Sequence, residues 1–285
     1  MPVFDLAPQR VERPTPSEAA RFQTPWVPFP EGVEALKLMK TLIGRPDEGR
    51  PLNFALIGEP NFGKSHLIDF FVDHYPEVKF DRGARLQIVR LDMPAKADGS
   101  ALVREILRTM GAPYVRKEPL DEMIAKITVR AKLLGVLMFV IDEFNNGHWG
   151  RKDAAHTLLH AVRSIGNRTQ RPFVLAGTPV LEDVLRNDGQ LNERCIRRSL
   201  PQWTNQQSVL NLLKTFEARL SRPLCPEVTE EKRAQRVWDL AGSKLGRIAI
   251  LLREAERRVV ESGKPHIAIE DLNAVANLLP GSHSG

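Results

Sequence analysis

The stretch LNFALIGEPNFGKSHLIDFFVDHY, residues 52–75, limits the fold more than any other part of the chain. It opens as a short apolar run that reads as a buried strand. Gly58 follows, then four residues, then Gly63-Lys64-Ser65. Past Ser65, the apolar residues Leu67, Ile68, Phe70 and Phe71 suggest a helix. A strand that turns through glycines into a helix is the setting of a phosphate-gripping P-loop. The glycines let backbone N–H groups curl round phosphate oxygens, and the helix N-terminus adds its positive dipole. On this reading Gly58, Glu59, Pro60, Asn61, Phe62, Gly63, Lys64, Ser65 and His66 contact a nucleotide. Lys64 reaches the β- and γ-phosphates and the Ser65 hydroxyl holds Mg2+.

The rest of the chain supplies matching elements. LQIVRLDM (86–93), VLMFVIDE (136–143) and RPFVLAGT (171–178) read as further strands, and RRSLPQW (197–203) as a short one at an edge. A helix is expected from Glu31 to the stop at Gly44-Arg45-Pro46, two between 100 and 134, and one over AAHTLLHAVRSIG. Strands alternating with helices predict an α/β fold, a parallel sheet with helices on both faces. Past Trp203 only helical patterns remain, so a small all-helical domain is expected from about residue 204. The prolines Pro2, Pro8, Pro14, Pro16, Pro25, Pro28 and Pro30 exclude a long helix in residues 1–30. That segment reads as an extended arm, either touching a neighbouring subunit or partner or forming a loose tail.

With 285 residues, 42% of them hydrophobic, the chain can build one large domain or one domain plus a smaller one. A net charge of +6 and a pI near 9.5 permit a polyanionic partner without requiring one. Two cysteines, Cys195 and Cys225, make no disulfide framework and suit a reducing compartment. The longest apolar run, around Leu133–Ile141, is too short to span a bilayer, and the N-terminus lacks the pattern of a signal peptide. A cytoplasmic protein with no membrane partner is expected.

Further residues carry chemistry. VLMFVIDEF delivers Asp142 and Glu143 to the sheet edge that bears the P-loop. Asp142 would hold Mg2+ and Glu143 would polarise the water that attacks a γ-phosphate. Thr178, at the end of the next strand, would sit between the acids and the γ-phosphate. In NERCIRRSL, Arg194 is suited to reach a neighbour's γ-phosphate, with Arg197 and Arg198 as alternatives. Arg247, after Gly246, would touch the same phosphate from within its own subunit. His156 and His160 are spaced i, i+4, but HTLLH lacks the glutamate of a zinc protease and a clear third ligand, so a helix surface is the better reading.

In order, NFALIGEPNFGKS, MFVIDEF, LAGTPVLEDVL, QLNERCIRRSLPQW and GRIAILLREA resemble the TniB/TnsC family of transposition regulators, within the AAA+ ATPases. The resemblance runs from about Pro28 to Leu279. It implies an AAA+ P-loop domain over 31–203 with a central parallel sheet, followed by a helical lid and tail over 204–285. It implies ATP and Mg2+ as ligands, and self-assembly on double-stranded DNA as a ring or helical filament. The assembly would connect target selection to a DDE transposase, with a TniQ-type targeting protein and in some systems a CRISPR effector, and ATP hydrolysis would dismantle it. By the same resemblance Gly58, Gly63, Lys64 and Ser65 match Walker A, Asp142 and Glu143 Walker B, Arg194 the trans arginine and Arg247 the sensor-2 arginine. Cys195 departs from the family, where an aromatic is common. Phe144-Asn145-Asn146 also departs, and that difference is expected to leave the chemistry unchanged. Lys96, Arg116 and Lys117 are the expected channel-lining contacts to DNA phosphates. The other readings are a replication-type AAA+ helicase or clamp loader, and a monomeric P-loop kinase or nucleotide hydrolase.

Overall fold

The computed structural model describes residues 26, 28–45, 50–80, 83–115, 117–147, 152–200, 206–218, 220–225, 231–242 and 244–278. Most of the N-terminal arm, Arg116 and the Pro201-Gln202-Trp203 end of the expected edge strand lie outside them. The chain divides into two compact units. One contains Pro30–Glu59 and Leu67–Leu200; the other contains Pro60–His66 and Pro201–Gly285.

The first unit opens with α1 (Pro30–Ile43), which buries Ala35, Leu36, Met39 and Leu42. Strand β1 (Asn53–Ile57) is buried at every residue, and the chain then passes through the glycine loop into α2 (Lys64–Asp73). A hairpin of β2 (Val78–Phe80) and β3 (Gly83–Arg85) follows. Next come β4 (Ile88–Asp92), α3 (Gly99–Thr109), α4 (Leu120–Leu134) and β5 (Met138–Asp142). A 3-10 turn over Phe144–Asn146 leads to α5 (Lys152–Thr169) and β6 (Phe173–Gly177). The unit closes with α6 (Val180–Arg186), α7 (Gly189–Glu193) and β7 (Cys195–Ser199).

Five strands form one sheet in the order β4-β5-β6-β1-β7, and all four pairings are parallel. Strands β1, β5 and β6 are wholly buried, which is why they read as unbroken apolar runs in the sequence. The stacked rings of Phe139 and Phe173, with centroids 4.9 Å apart, join neighbouring central strands. Val103, Ile106, Ile124, Ile127, Val162 and Ile165 are among the residues by which α3, α4 and α5 share a core cluster with the sheet. Gly99 makes that packing possible: a Cβ there would stand 2.3 Å from the Thr157 carbonyl oxygen on α5.

The second unit holds α8 (Gln206–Glu217), α9 (Glu231–Leu240), α10 (Leu245–Glu261) and α11 (Ile269–Ala276). On α10 the stripe Ile248, Leu251, Leu252, Ala255 and Val259 is completely buried, as its 3-4 spacing demands. Glu256 is buried too, and its carboxylate is used: Oε1 accepts from both the backbone N–H and the hydroxyl of Ser221.

Candidate functional site

Because the sheet is parallel, the C-terminal ends of its strands share one edge, and the residues leaving that edge can act together. Strand β6 lies between β5 and β1. Thr178, just past β6, therefore stands between Asp142, which ends β5, and Gly58, which follows β1. The Gly58 N–H donates to the Gly177 carbonyl at 3.0 Å, and the Met93 N–H donates to the Asp142 carbonyl at 2.8 Å. The four strand ends are thus fixed side by side.

Past Gly58 the chain enters the glycine loop. Asn61 has φ 68° and Gly63 φ 89°, left-handed conformations of the kind by which a loop can turn its N–H groups toward an anion. Asn tolerates this region better than most side chains, and Gly at no cost. Lys64 is only 4% exposed although it is a lysine. A cation so buried needs an anionic or strongly polar environment. Within the second unit, the Gly246 N–H donates to the Asn61 carbonyl at 3.2 Å, and a Cβ at Gly246 would come within 3.2 Å of the Asn61 side chain. Arg247 follows directly, and its guanidinium lies 3.2 Å from where a Cβ on Gly242 would stand. Gly242 and Gly246, both just before Arg247, thus leave close room for the Arg247 and Asn61 side chains, and Gly242 also has φ 62°.

Asp142 is 1% exposed. Its Oδ1 accepts from the Glu143 N–H at 2.8 Å, and its Oδ2 lies 3.7 Å from the Arg90 guanidinium. Arg90, on the neighbouring β4, also reaches Asp92 at 3.2 Å and Asp69 of α2 at 3.4 Å. One half-buried cation thus answers three carboxylates and balances the charge of a buried acid. Glu143 itself has φ 52°, unusual for a non-glycine residue and the kind of strain found at working sites.

Arg194 lies elsewhere. It caps α7 immediately before β7, and its carbonyl accepts from the Asn53 N–H at 2.7 Å. Asn53 begins β1, so Arg194 stands at the edge opposite Gly58, Asp142 and Thr178, about 15 Å away along a five-residue strand. Arg197 pairs in register with Ala55 and contacts Asn192, while Arg198 pairs with Leu56. Cys195 is buried, and that burial pushes its thiol up to about 12, with Arg197 opposing.

Lys96 and Lys117 are both exposed on loops of the first unit. Lys96 has φ 52°, and its N–H donates to the Asn146 carbonyl at 2.8 Å, tying the loop after β4 to the turn after β5. His156 is exposed and His160 half-buried on α5, and among the described residues no three or more His, Cys, Asp or Glu side chains are grouped so that they could hold a metal ion by themselves. Among them too, no helix is long and apolar enough to cross a membrane. Arg90, beside Asp142, and Asn145, which bonds both Glu143 and the Thr178 N–H, are neighbours of the candidate residues that sequence reasoning missed.

The family model described as "Bacterial TniB protein" matches residues 20–205, well over half of the chain. The chain belongs to the TniB family. No curated protein matches its sequence. Among solved structures, this TniB-family chain is similar to Cdc6p from Pyrobaculum aerophilum, with TM-score 0.62 and 20% identity, over 92% of this chain and 70% of that one. It is similar to the ORC2 protein of Aeropyrum pernix, solved as ADPNP-ADP complexes, with TM-score 0.63 and 16% identity, over 86% of this chain and 67% of that one. It is also similar to the Aeropyrum pernix ORC1 protein, solved in complex with DNA, with TM-score 0.65 and 15% identity, over 88% of this chain and 65% of that one. The chain spans about two thirds of the length of these proteins. The fold is thus like that of these proteins, an α/β domain on a five-stranded parallel sheet, with a small all-helical unit following it in the chain.

Proposed function

We propose that this TniB-family protein is an ATP-dependent regulator of DNA transposition. It binds ATP and Mg2+, oligomerises on target double-stranded DNA, links target selection to a DDE transposase with a TniQ-type partner, and is dismantled by ATP hydrolysis. Residues 31–203 carry the nucleotide chemistry and 204–285 act as lid. The observation that carries this reading is the edge where Asp142, Glu143 and Thr178 stand beside the start of the P-loop, in a chain of this family.

The donor set suits a nucleoside triphosphate with its metal. The left-handed turns at Asn61 and Gly63 present backbone N–H groups, Lys64 offers a buried ammonium, and the Ser65 hydroxyl and Asp142 carboxylate offer hard oxygen ligands. Bound Mg2+ would neutralise charge on the β- and γ-phosphates. Glu143 takes the proton of the attacking water, and Thr178 senses the γ-phosphate between the acids and the P-loop. Arg247 contacts the phosphates from the lid. Arg194, at the opposite edge of its own sheet, serves the site of a neighbouring subunit, with Arg197 or Arg198 as the alternative. Lys96, Arg116 and Lys117 contact DNA phosphates, giving binding that weakens with salt and ignores sequence.

Electron microscopy of the protein with linear duplex DNA tests the reading, comparing ATP, a non-hydrolysable analogue, ADP and no nucleotide. Rings or filaments on DNA with the triphosphates alone are expected. Monomers in every condition, with ATP still hydrolysed, would reject an assembling regulator in favour of a soluble nucleotide hydrolase.

A further inference from the structure

The residue that follows the acids by two positions is placed to control one of them. Asn145 lies in the 3-10 turn over Phe144–Asn146, and Phe144 anchors that turn by being completely buried in the core of the first unit. The Asn145 Oδ1 accepts from the Thr178 backbone N–H at 3.1 Å, across a sequence separation of 33 residues. Its Nδ2 donates to the Glu143 Oε2 at 3.3 Å and to the Asn146 Oδ1 at 3.2 Å.

Chemistry fixes the direction of this amide. A backbone N–H can only donate, so the oxygen must face Thr178. An ionised carboxylate can only accept, so the NH2 must face Glu143. Among side chains of this length, only asparagine accepts at one end and donates at the other. Gly177 makes room for it: a Cβ at that position would stand 3.0 Å from the Asn145 Oδ1. The same Gly177–Thr178 peptide is held on its other side, where the Gly177 carbonyl accepts from the Gly58 N–H at 3.0 Å. One peptide unit therefore connects the first residue of the P-loop to Asn145, and Asn145 to Glu143.

We infer that Asn145 is the positioning residue for Glu143, orienting its carboxylate through Nδ2 and tying that orientation to the Gly177–Thr178 peptide beside the P-loop. The inference rests on the reading of Glu143 as the group that takes the proton of the attacking water. Glu143 is held in the left-handed region at the start of the 3-10 turn, and the Asn145 Nδ2 bond fixes its carboxylate from within that same turn. A general base contributes roughly a hundredfold to ten-thousandfold when correctly aimed, so loss of the aiming contact removes a share of that factor and leaves nucleotide binding alone.

The test compares Asn145→Asp and Asn145→Ala in the full-length protein with duplex DNA. Asn145→Asp keeps the shape and the acceptor toward the Thr178 N–H but lacks the donor toward Glu143. Steady-state ATP hydrolysis, binding of a fluorescent ATP analogue and melting temperature are measured together. In both variants kcat is expected to fall about tenfold to a hundredfold. KM and analogue affinity are expected to stay within about twofold, with the melting temperature of Asn145→Asp at the wild-type value. An Asn145→Asp protein with wild-type kcat overturns the assignment. So does a loss of kcat matched by an equal loss of nucleotide affinity or by a lowered melting temperature in both variants, because a purely structural asparagine would behave that way. A wild-type protein that binds ATP without hydrolysing it overturns the reading of Glu143 and this assignment with it, whereas hydrolysis by the wild type with undiminished kcat in Asn145→Asp overturns the assignment alone.

Discussion

Cys195 stands next to Arg194 on the chain, yet the two side chains meet different surroundings. Cys195 is buried and its thiol is pushed up to about 12 by that burial, so at pH 8 almost none of it is thiolate. Cys225 is half-buried. Brief treatment of the folded protein with iodoacetamide at pH 8 is expected to label Cys225 and spare Cys195, and denaturant should make both react; peptide mass spectrometry reads the result. Cys195 opens β7 and pairs in register with Asn53 of β1. Single residues of the site were unevenly legible in the sequence. Asp142 and Glu143 announced themselves as acids ending an apolar run. Asn145 did not, because its two decisive partners are a backbone N–H 33 residues later and a side chain whose direction depends on a left-handed backbone. The only trace was an amide two residues after the acids. Arg90 was hidden in the same way, since its role depends on β4 lying beside β5.

At the level of elements, Gly99→Ala is expected to weaken the packing of α3 on α5. The added Cβ meets backbone, which cannot swing aside, so the two helices must separate. A loss of about 1–3 kcal/mol follows, read as a lower urea midpoint with unchanged slope. The approach to α4 gives a pH test. Glu118 bonds Lys126 at 2.6 Å and accepts from the Val115 N–H at 3.1 Å, and these contacts, the Lys126 bond foremost, hold its carboxyl below the usual range. Its folded-state pKa is lowered, so its contribution is full above the unfolded value near 4.3 and is lost as pH falls through the folded value. The stability difference between wild type and Glu118→Gln is therefore expected to be flat from about pH 7 to 5 and to shrink below about pH 4, which urea titrations at stepped pH would measure. The elements themselves were legible where burial is two-sided: β1, β5 and β6 appeared as apolar runs. The hairpin β2–β3 escaped notice because VKF and GAR carry no such run, and its existence depends on antiparallel pairing alone. Helices α6 and α7 escaped because seven and five residues are too few for a period to show. Strand β7 begins two residues before the expected start, at Cys195, because it pairs with the whole length of β1 from Asn53 onward.

For the molecule as a whole, the position of Arg194 leads to a complementation experiment. Arg194→Ala retains its own P-loop, and Lys64→Ala retains its own Arg194. Each variant alone is expected to lose ATP hydrolysis on DNA by about a thousandfold or more, the scale of losing a trans arginine. Mixed in equal amounts they should recover a measurable share, because some neighbouring pairs then combine an intact P-loop with an intact arginine. No recovery on mixing, with each variant still able to bind DNA, would reject the trans arrangement.

The opposite placement of Arg194 and Gly58 on the sheet of the first unit also sets a count. A contact that joins one edge of a subunit to the other edge of the next, and is repeated in one direction, is head-to-tail and builds a ring if the rotation closes or a filament if it does not. A closed ring of n subunits then has n complete catalytic centres. An open filament of the same n has n − 1, with one terminal subunit holding a nucleotide that no arginine reaches. In a filament that end turns over last, so the slope of hydrolysis rate against filament length would carry an intercept at one subunit, whereas rings would extrapolate to the origin.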